Sequence, residues 1–137
     1  MVNLLDTSAI LAHYRNEAGA GRVQELFADD AEEILIASVS LPEFARRLLE
    51  LGMDDAEILR VVADYRQVAG AVVAVDAAVA ETSWEVICQT PKRLPLVDAL
   101  IASAALVNGA RLVHRDAHMC AIPASLLAQL DLEDIRV

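Results

Sequence analysis

Leu96-Val97-Asp98-Ala99-Leu100-Ile101-Ala102-Ser103-Ala104-Ala105-Leu106-Val107, with Arg111-Leu112-Val113-His114 and then Asp116 beyond it, reads as an apolar helix leading into a strand that stops beside an acid. Only Asp98 and Ser103 are polar in the helical run, and a helix that apolar is buried nearly all round. Such a helix needs a sheet to pack on. Val2 to Leu5, Ile34 to Ala37 and Val72 to Val75 supply further buried strands, with a weaker one at Ile135 to Val137. Helical spacing fills the intervals: Phe44, Leu48 and Leu51 on one helix, a break at Gly52-Met53-Asp54, then Ile58, Leu59, Val62 and Tyr65 on a second arm. Ala80, Trp84, Ile87 and Cys88 recur behind an Asp76 cap, which assigns Trp84 to the core. This alternation predicts an α/β fold with a mostly parallel central sheet of four to five strands, flanked by helices on both faces.

The chain has 137 residues, enough for one domain with a real core, and no linker, repeat or low-complexity segment divides it. Hydrophobic residues make up 56% and aromatic residues only 4%, so the core is aliphatic, as layered α/β packing requires. No apolar run reaches the roughly 18 residues of a membrane span, and Val2-Asn3-Leu4-Leu5-Asp6 is not a secretory start. A cytoplasmic protein without a membrane partner is expected. Cys88 and Cys120 lack metal-motif or disulfide spacing and read as reduced, partly buried thiols.

Four carboxylates interrupt apolar stretches: Asp6, Glu43, Asp98 and Asp116. In parallel α/β sheets, ligands bind beyond the carboxyl ends of the strands. Asp6 and Asp116 follow predicted strands, Glu43 begins the helix after another, and Asp98 lies in the first turn of the apolar helix. Four acids at one sheet edge suit a hard metal ion and hydrolysis of phosphate esters. Each acid also has a purely structural reading. Asp6 and Asp116 fit helix or turn caps, Ser40-Leu41-Pro42-Glu43 spells a capping box, and Asp98 fits a first-turn acid favoured by the helix dipole.

The formal net charge of −10 opposes nucleic-acid binding, although metal-site acids inflate it and local basic patches offset it. Arg46-Arg47, Lys92-Arg93 and Arg111 with Arg115 are the candidate patches. No glycine-rich phosphate loop or dinucleotide fingerprint is present. Asp6-Thr7-Ser8 lacks the second acid of a phospho-aspartyl hydrolase. His114, His118 and Cys120 suggest zinc only if a helix ran through the strand-to-loop junction between the two histidines, which the pattern opposes.

Taken together, Leu5-Asp6-Thr7-Ser8-Ala9, Ser40-Leu41-Pro42-Glu43-Phe44, Leu94-Pro95-Leu96-Val97-Asp98-Ala99-Leu100-Ile101-Ala102 and Leu112-Val113-His114-Arg115-Asp116 resemble PIN-domain ribonucleases, most closely the VapC-type toxins of toxin-antitoxin pairs. The likeness spans nearly the whole chain and implies a single PIN domain over residues 1–137. It implies that Asp6, Glu43, Asp98 and Asp116 hold Mg²⁺ or Mn²⁺ and activate water, and that Thr7 helps order the site. His114 departs from the pattern, since many relatives carry Thr or Ser there, and leaves the hydrogen bonding around the last acid open. The implied activity is metal-dependent hydrolysis of RNA by a homodimeric toxin held in check by a small antitoxin. A partner groove is expected on the helical hairpin around Leu48 to Tyr65, with Leu49, Ile58 and Val62. The alternative is a catalytically weak PIN-like module that binds RNA or a partner protein; metal-dependent RNA cleavage discriminates the two.

Overall fold

The computed structural model describes residues 1–134. Five strands alternate with helices: β1 (Val2–Leu5), α1 (Thr7–Tyr14), α2 (Ala20–Ala28), β2 (Glu33–Ala37), α3 (Ser40–Glu50), α4 (Asp55–Val68), β3 (Ala71–Val73), α5 (Ala77–Gln89), α6 (Leu96–Val107), β4 (Arg111–His114), α7 (Ala117–Cys120) and β5 (Gln129–Asp131), then a single 3-10 turn at Leu132–Asp134. All pairings are parallel, in the order β3-β2-β1-β4-β5. The sheet is therefore as the sequence predicts, with β1 at its centre. No described helix is long and apolar enough to cross a membrane.

Alternate residues of the central strands feed two cores, as a sheet covered on both faces requires. Leu4, Leu35 and Leu112 pack with α5 and α6, whereas Leu5, Ile34, Ile36 and Val113 pack with residues of α1 to α4, including Ile10, Val23, Phe44 and Ile58. Small residues let α5 and α6 pack side by side. Ala99, Ala102 and Ala105 are fully buried, and the buried Ser103 hydroxyl donates to the Val79 carbonyl at 2.6 Å, so its polar atom is satisfied. The ends of α6 protrude: Leu96 is 65% and Val107 45% exposed, less burial than its composition predicts.

The predicted break between α3 and α4 is a left-handed glycine, Gly52 at φ 87°, with the Met53 N–H donating to the Leu48 carbonyl. Asp54 then caps α4 by accepting from the Glu57 N–H. Asp76 caps α5 as expected, through the Val79 N–H.

Two expectations about burial need correction. Trp84 is 68% exposed, because the buried face of α5 runs through Val79, Ser83 and Val86, one position away from the predicted stripe. Both cysteines are exposed. The strand expected at 135–137 lies outside the described residues; the fifth described strand, β5, sets Gln129, Leu130 and Asp131 opposite Leu112, Val113 and His114.

Candidate active site

The order reverses at β1: the chain builds outward through β2 and β3, then returns to the other side of β1 with β4. That switch point opens a crevice at the strands' carboxyl ends. Asp6 leaves β1 there, and Asp116 lies two residues beyond β4. α3 brings Glu43 from one face and α6 brings Asp98 from the other. All four predicted acids line one cleft of about 230 Å³, together with Thr7, Ser8, Leu11 and Arg47.

Asp6 caps α1 with one oxygen only. Its Oδ2 accepts from the Ser8 N–H at 3.1 Å and from the Ser8 hydroxyl. The other oxygen, Oδ1, is buried without a hydrogen-bond partner among the described residues. Burial, reinforced by the charges of Glu43 and Asp116, raises this carboxyl from 3.8 to about 6 despite the Ser8 hydrogen bonds. Ser8 is a site residue the sequence reading passed over. Its hydroxyl also accepts from the Arg115 N–H at 2.9 Å and so ties the start of α1 to the loop after β4. Thr7, the hydroxyl singled out by resemblance, has a buried Oγ1 with no partner among the described residues.

Glu43 does not close a capping box. The cap of α3 is Val39, without a side-chain hydrogen bond, and the buried Ser40 Oγ has no partner among the described residues. The Glu43 side chain faces the cleft instead. Asp98 sits in the first turn of α6 with its side chain 13% exposed. Burial first, then the charges of Asp116, Asp6 and Glu43, raise it to about 7, an effect that His118 partly offsets.

Asp116 caps α7: its Oδ1 accepts from the His118 N–H at 2.9 Å and lies 3.0 Å from His118 Nδ1. The same Nδ1 is 3.9 Å from Asp98 Oδ2. His118 therefore belongs beside the acids; its place two residues after Asp116 was the available signal. His114 is fully buried, with Nε2 facing Gln129 Oε1 at 2.9 Å and Nδ1 accepting from the Asp116 N–H at 3.2 Å. That acceptor role assigns the proton to Nε2 and answers what supports the last acid.

Of the basic candidates, Arg47 reaches the cleft wall and pairs with Glu50 at 2.9 Å. Arg115 is held by Glu133 at 2.6 Å and Glu17 at 3.5 Å. Arg111 opens the opposite end of β4, where its Nε donates to Asn3 Oδ1, so Arg111 and Arg115 do not form one patch.

The donor set fits a hard divalent cation. A buried carboxylate oxygen with no partner among the described residues, three further acids in the same cleft, and two carboxyls raised by burial first and by neighbouring acids second describe poorly solvated negative charge that a cation would relieve. Ligand atoms of Asp98, Asp116 and His118 lie within 4.8 Å of one another.

A family model described as PIN domain matches residues 4–124. The chain belongs to the PIN domain family. Solved PIN structures similar to it include VapBC2 from Rickettsia felis bound to a promoter DNA fragment, at 20% identity and TM-score 0.76, covering 96% of this chain and 98% of that one. DNA-bound VapBC from Salmonella typhimurium matches at 19% identity and TM-score 0.74, covering 96% and 99%. Mycobacterium tuberculosis VapC20, described as a sarcin-ricin loop cleaving toxin, matches at 20% identity and TM-score 0.66, covering 88% and 95%. At these identities the likeness shows a shared PIN fold. No curated protein sequence matches the chain.

Proposed function

We propose that this PIN domain is a divalent-metal-dependent endoribonuclease and the toxin of a toxin-antitoxin pair. The observation that carries the reading is the convergence of Asp6, Glu43, Asp98 and Asp116 on one cleft, with Asp6 Oδ1 buried and without a hydrogen-bond partner among the described residues. Asp6 and Asp98 would hold Mg²⁺ or Mn²⁺, with Glu43 and Asp116 completing the set. When bound, such an ion supplies Lewis acidity and offsets charge that builds on a phosphate during hydrolysis.

The chain's own groups divide the remaining work. Ser8 fixes one oxygen of Asp6 and leaves the other free for the cleft. The Asp116 carboxylate is oriented by the His118 N–H and its backbone by His114. Glu43, freed from any cap, either completes the ligand set or accepts a proton from the attacking water. Arg47 offers a cation to the phosphodiester at the wall of a cleft that otherwise repels it. RNA as the substrate class is supported by the likeness to VapC20, a toxin that cleaves the sarcin-ricin loop.

An antitoxin partner is supported by the VapBC and FitAB complexes that share the fold. An Arg or Lys of that partner entering the acidic cleft would neutralise it, and the net charge of −10 would speed association with a basic segment. On the α3–α4 hairpin, Leu49 is 62% and Leu59 63% exposed, which leaves apolar surface for that partner; Ile58, expected in the groove, is instead buried. A cytoplasmic homodimer completes the proposal.

The test incubates the purified, antitoxin-free protein with total cellular RNA, with and without Mg²⁺ or Mn²⁺, and maps new ends. Defined cuts that need the metal are expected. Cleavage that survives full chelation would reject the metal mechanism, and absence of cleavage under all conditions would favour the binding module.

A further inference from the structure

His114, Cys120 and Asp131 bring one ligand atom each within 4.8 Å of one another. They come from three elements, the ends of β4, α7 and β5. His114 and Asp131 are cross-strand partners, and Cys120 Sγ lies 3.1 Å from Asp131 Oδ2. Cys120 and Asp131 also line a surface cleft of about 680 Å³, which gives an ion access from solvent and room for water in the remaining coordination positions. None of the three residues belongs to the four-acid cleft. Their chemistry differs as well: a thiol, an imidazole and one carboxylate suit a borderline-soft ion of the Zn²⁺ type, whereas the acid cleft suits Mg²⁺ or Mn²⁺.

We propose that His114, Cys120 and Asp131 form a second metal site, for Zn²⁺ or a similar ion, whose occupancy disables the acid cleft through His114. The coupling follows from the imidazole's two nitrogens. Nδ1 accepts from the Asp116 N–H, and Nε2 faces Gln129. An ion on Nδ1 takes the lone pair that serves Asp116. An ion on Nε2 leaves the neutral ring's proton on Nδ1, which becomes a donor facing another donor. Either way the Asp116 N–H loses its acceptor, and the loop that aims the Asp116 carboxylate is released. The site stands independently of the nuclease reading; only its effect on cleavage rests on that reading.

Co²⁺ and Zn²⁺ are the probes. In the full chain held in excess Mg²⁺, a Co²⁺ titration should produce an intense thiolate-to-cobalt charge-transfer absorption that Zn²⁺ bleaches. Cys120→Ser should abolish that absorption, and Asp131→Asn should weaken Co²⁺ binding about tenfold or more. No absorption, or an unchanged one in Cys120→Ser, overturns the site. Should the variants fail to fold, thiol alkylation of the unmodified protein decides: Zn²⁺ should slow reaction at Cys120 while the exposed Cys88 reacts as before. Equal rates at Cys120 with and without Zn²⁺ overturn the site. Zn²⁺ should also inhibit Mg²⁺-dependent RNA cleavage by the wild-type chain and spare Cys120→Ser. Equal inhibition of both overturns the coupling, whereas a wild type that never cleaves RNA counts against the nuclease reading and leaves the spectroscopic test standing.

Discussion

Ser8 grips Asp6 twice, through its backbone N–H and its hydroxyl, and both bonds fall on the same carboxylate oxygen. The free oxygen is thereby aimed, and the hydroxyl's remaining capacity goes to the Arg115 N–H. Ser8→Ala removes one bond to the carboxylate and strands a backbone donor, so stability should fall by about 1–2 kcal/mol. Mn²⁺ affinity should fall with it, because Asp6 loses an interaction that favours its ionised form. Thermal melts and Mn²⁺ titration check both, and an unchanged affinity would remove Ser8 from the site.

Asp98→Asn keeps the side chain's shape and removes its charge. RNA cleavage should drop by about two orders of magnitude or more, while the metal-free protein melts higher at neutral pH because the cost of burying the Asp98 charge and its repulsion with Asp116, Asp6 and Glu43 are both relieved. A variant that cleaves at the wild-type rate would exclude Asp98 from the site.

Glu43→Gln tests a residue whose capping role the fold removes. Glutamine would preserve a capping box, yet none exists here, so folding stability should stay within about 0.5 kcal/mol of wild type or rise slightly. Cleavage should fall steeply. Full activity would mean that the cleft does not need this charge.

The acids also predict how stability depends on pH. Asp6 at about 6 and Asp98 at about 7 both titrate above their ordinary 3.8, so between those limits the folded chain holds protons that the unfolded chain has released. The stability they confer is complete below about pH 4 and is lost as pH rises through 6 to 7; for the buried Asp6 it amounts to ~3 kcal/mol. The melting temperature of metal-free protein should therefore fall between about pH 4 and pH 7, and saturating Mn²⁺ should restore more of it at the upper end. A flat metal-free profile would contradict the burial and crowding that raise the two acids.

Strands β1 and β4 and all four acids were legible in the sequence because each strand is a short apolar run and each acid interrupts one. The stripe of α5 was misplaced for a physical reason: Ser83 and Thr90 occupy buried positions by donating their hydroxyls to the Ala80 and Val86 carbonyls. Self-satisfied hydroxyls pass for surface residues in a hydropathy pattern, and Trp84 took their place. β5 escaped because Gln129-Leu130-Asp131 has one apolar residue, and its strand character comes from β4 beside it. Ser8 and His118 each stand two residues after an acid they contact, a local signal. The reach of Ser8 to Arg115, of His118 to Asp98 and of Arg47 to the cleft depends on how distant segments meet, which spacing along the chain does not encode.

The central strand precedes every other described strand in the sequence, yet it gains its second neighbour only after β2 and β3 have been laid down. β2 follows β1 closely in the sequence, but the neighbour on the other edge, β4, comes only after α6, and Asp116 later still. A nascent or prematurely terminated chain that stops short of β4 lacks both the second neighbour of β1 and the acid that follows it. The chemistry proposed for this cleft thus needs segments from both sides of the sheet's central strand, and the four-acid cleft cannot be complete before the segment after β4 has been made.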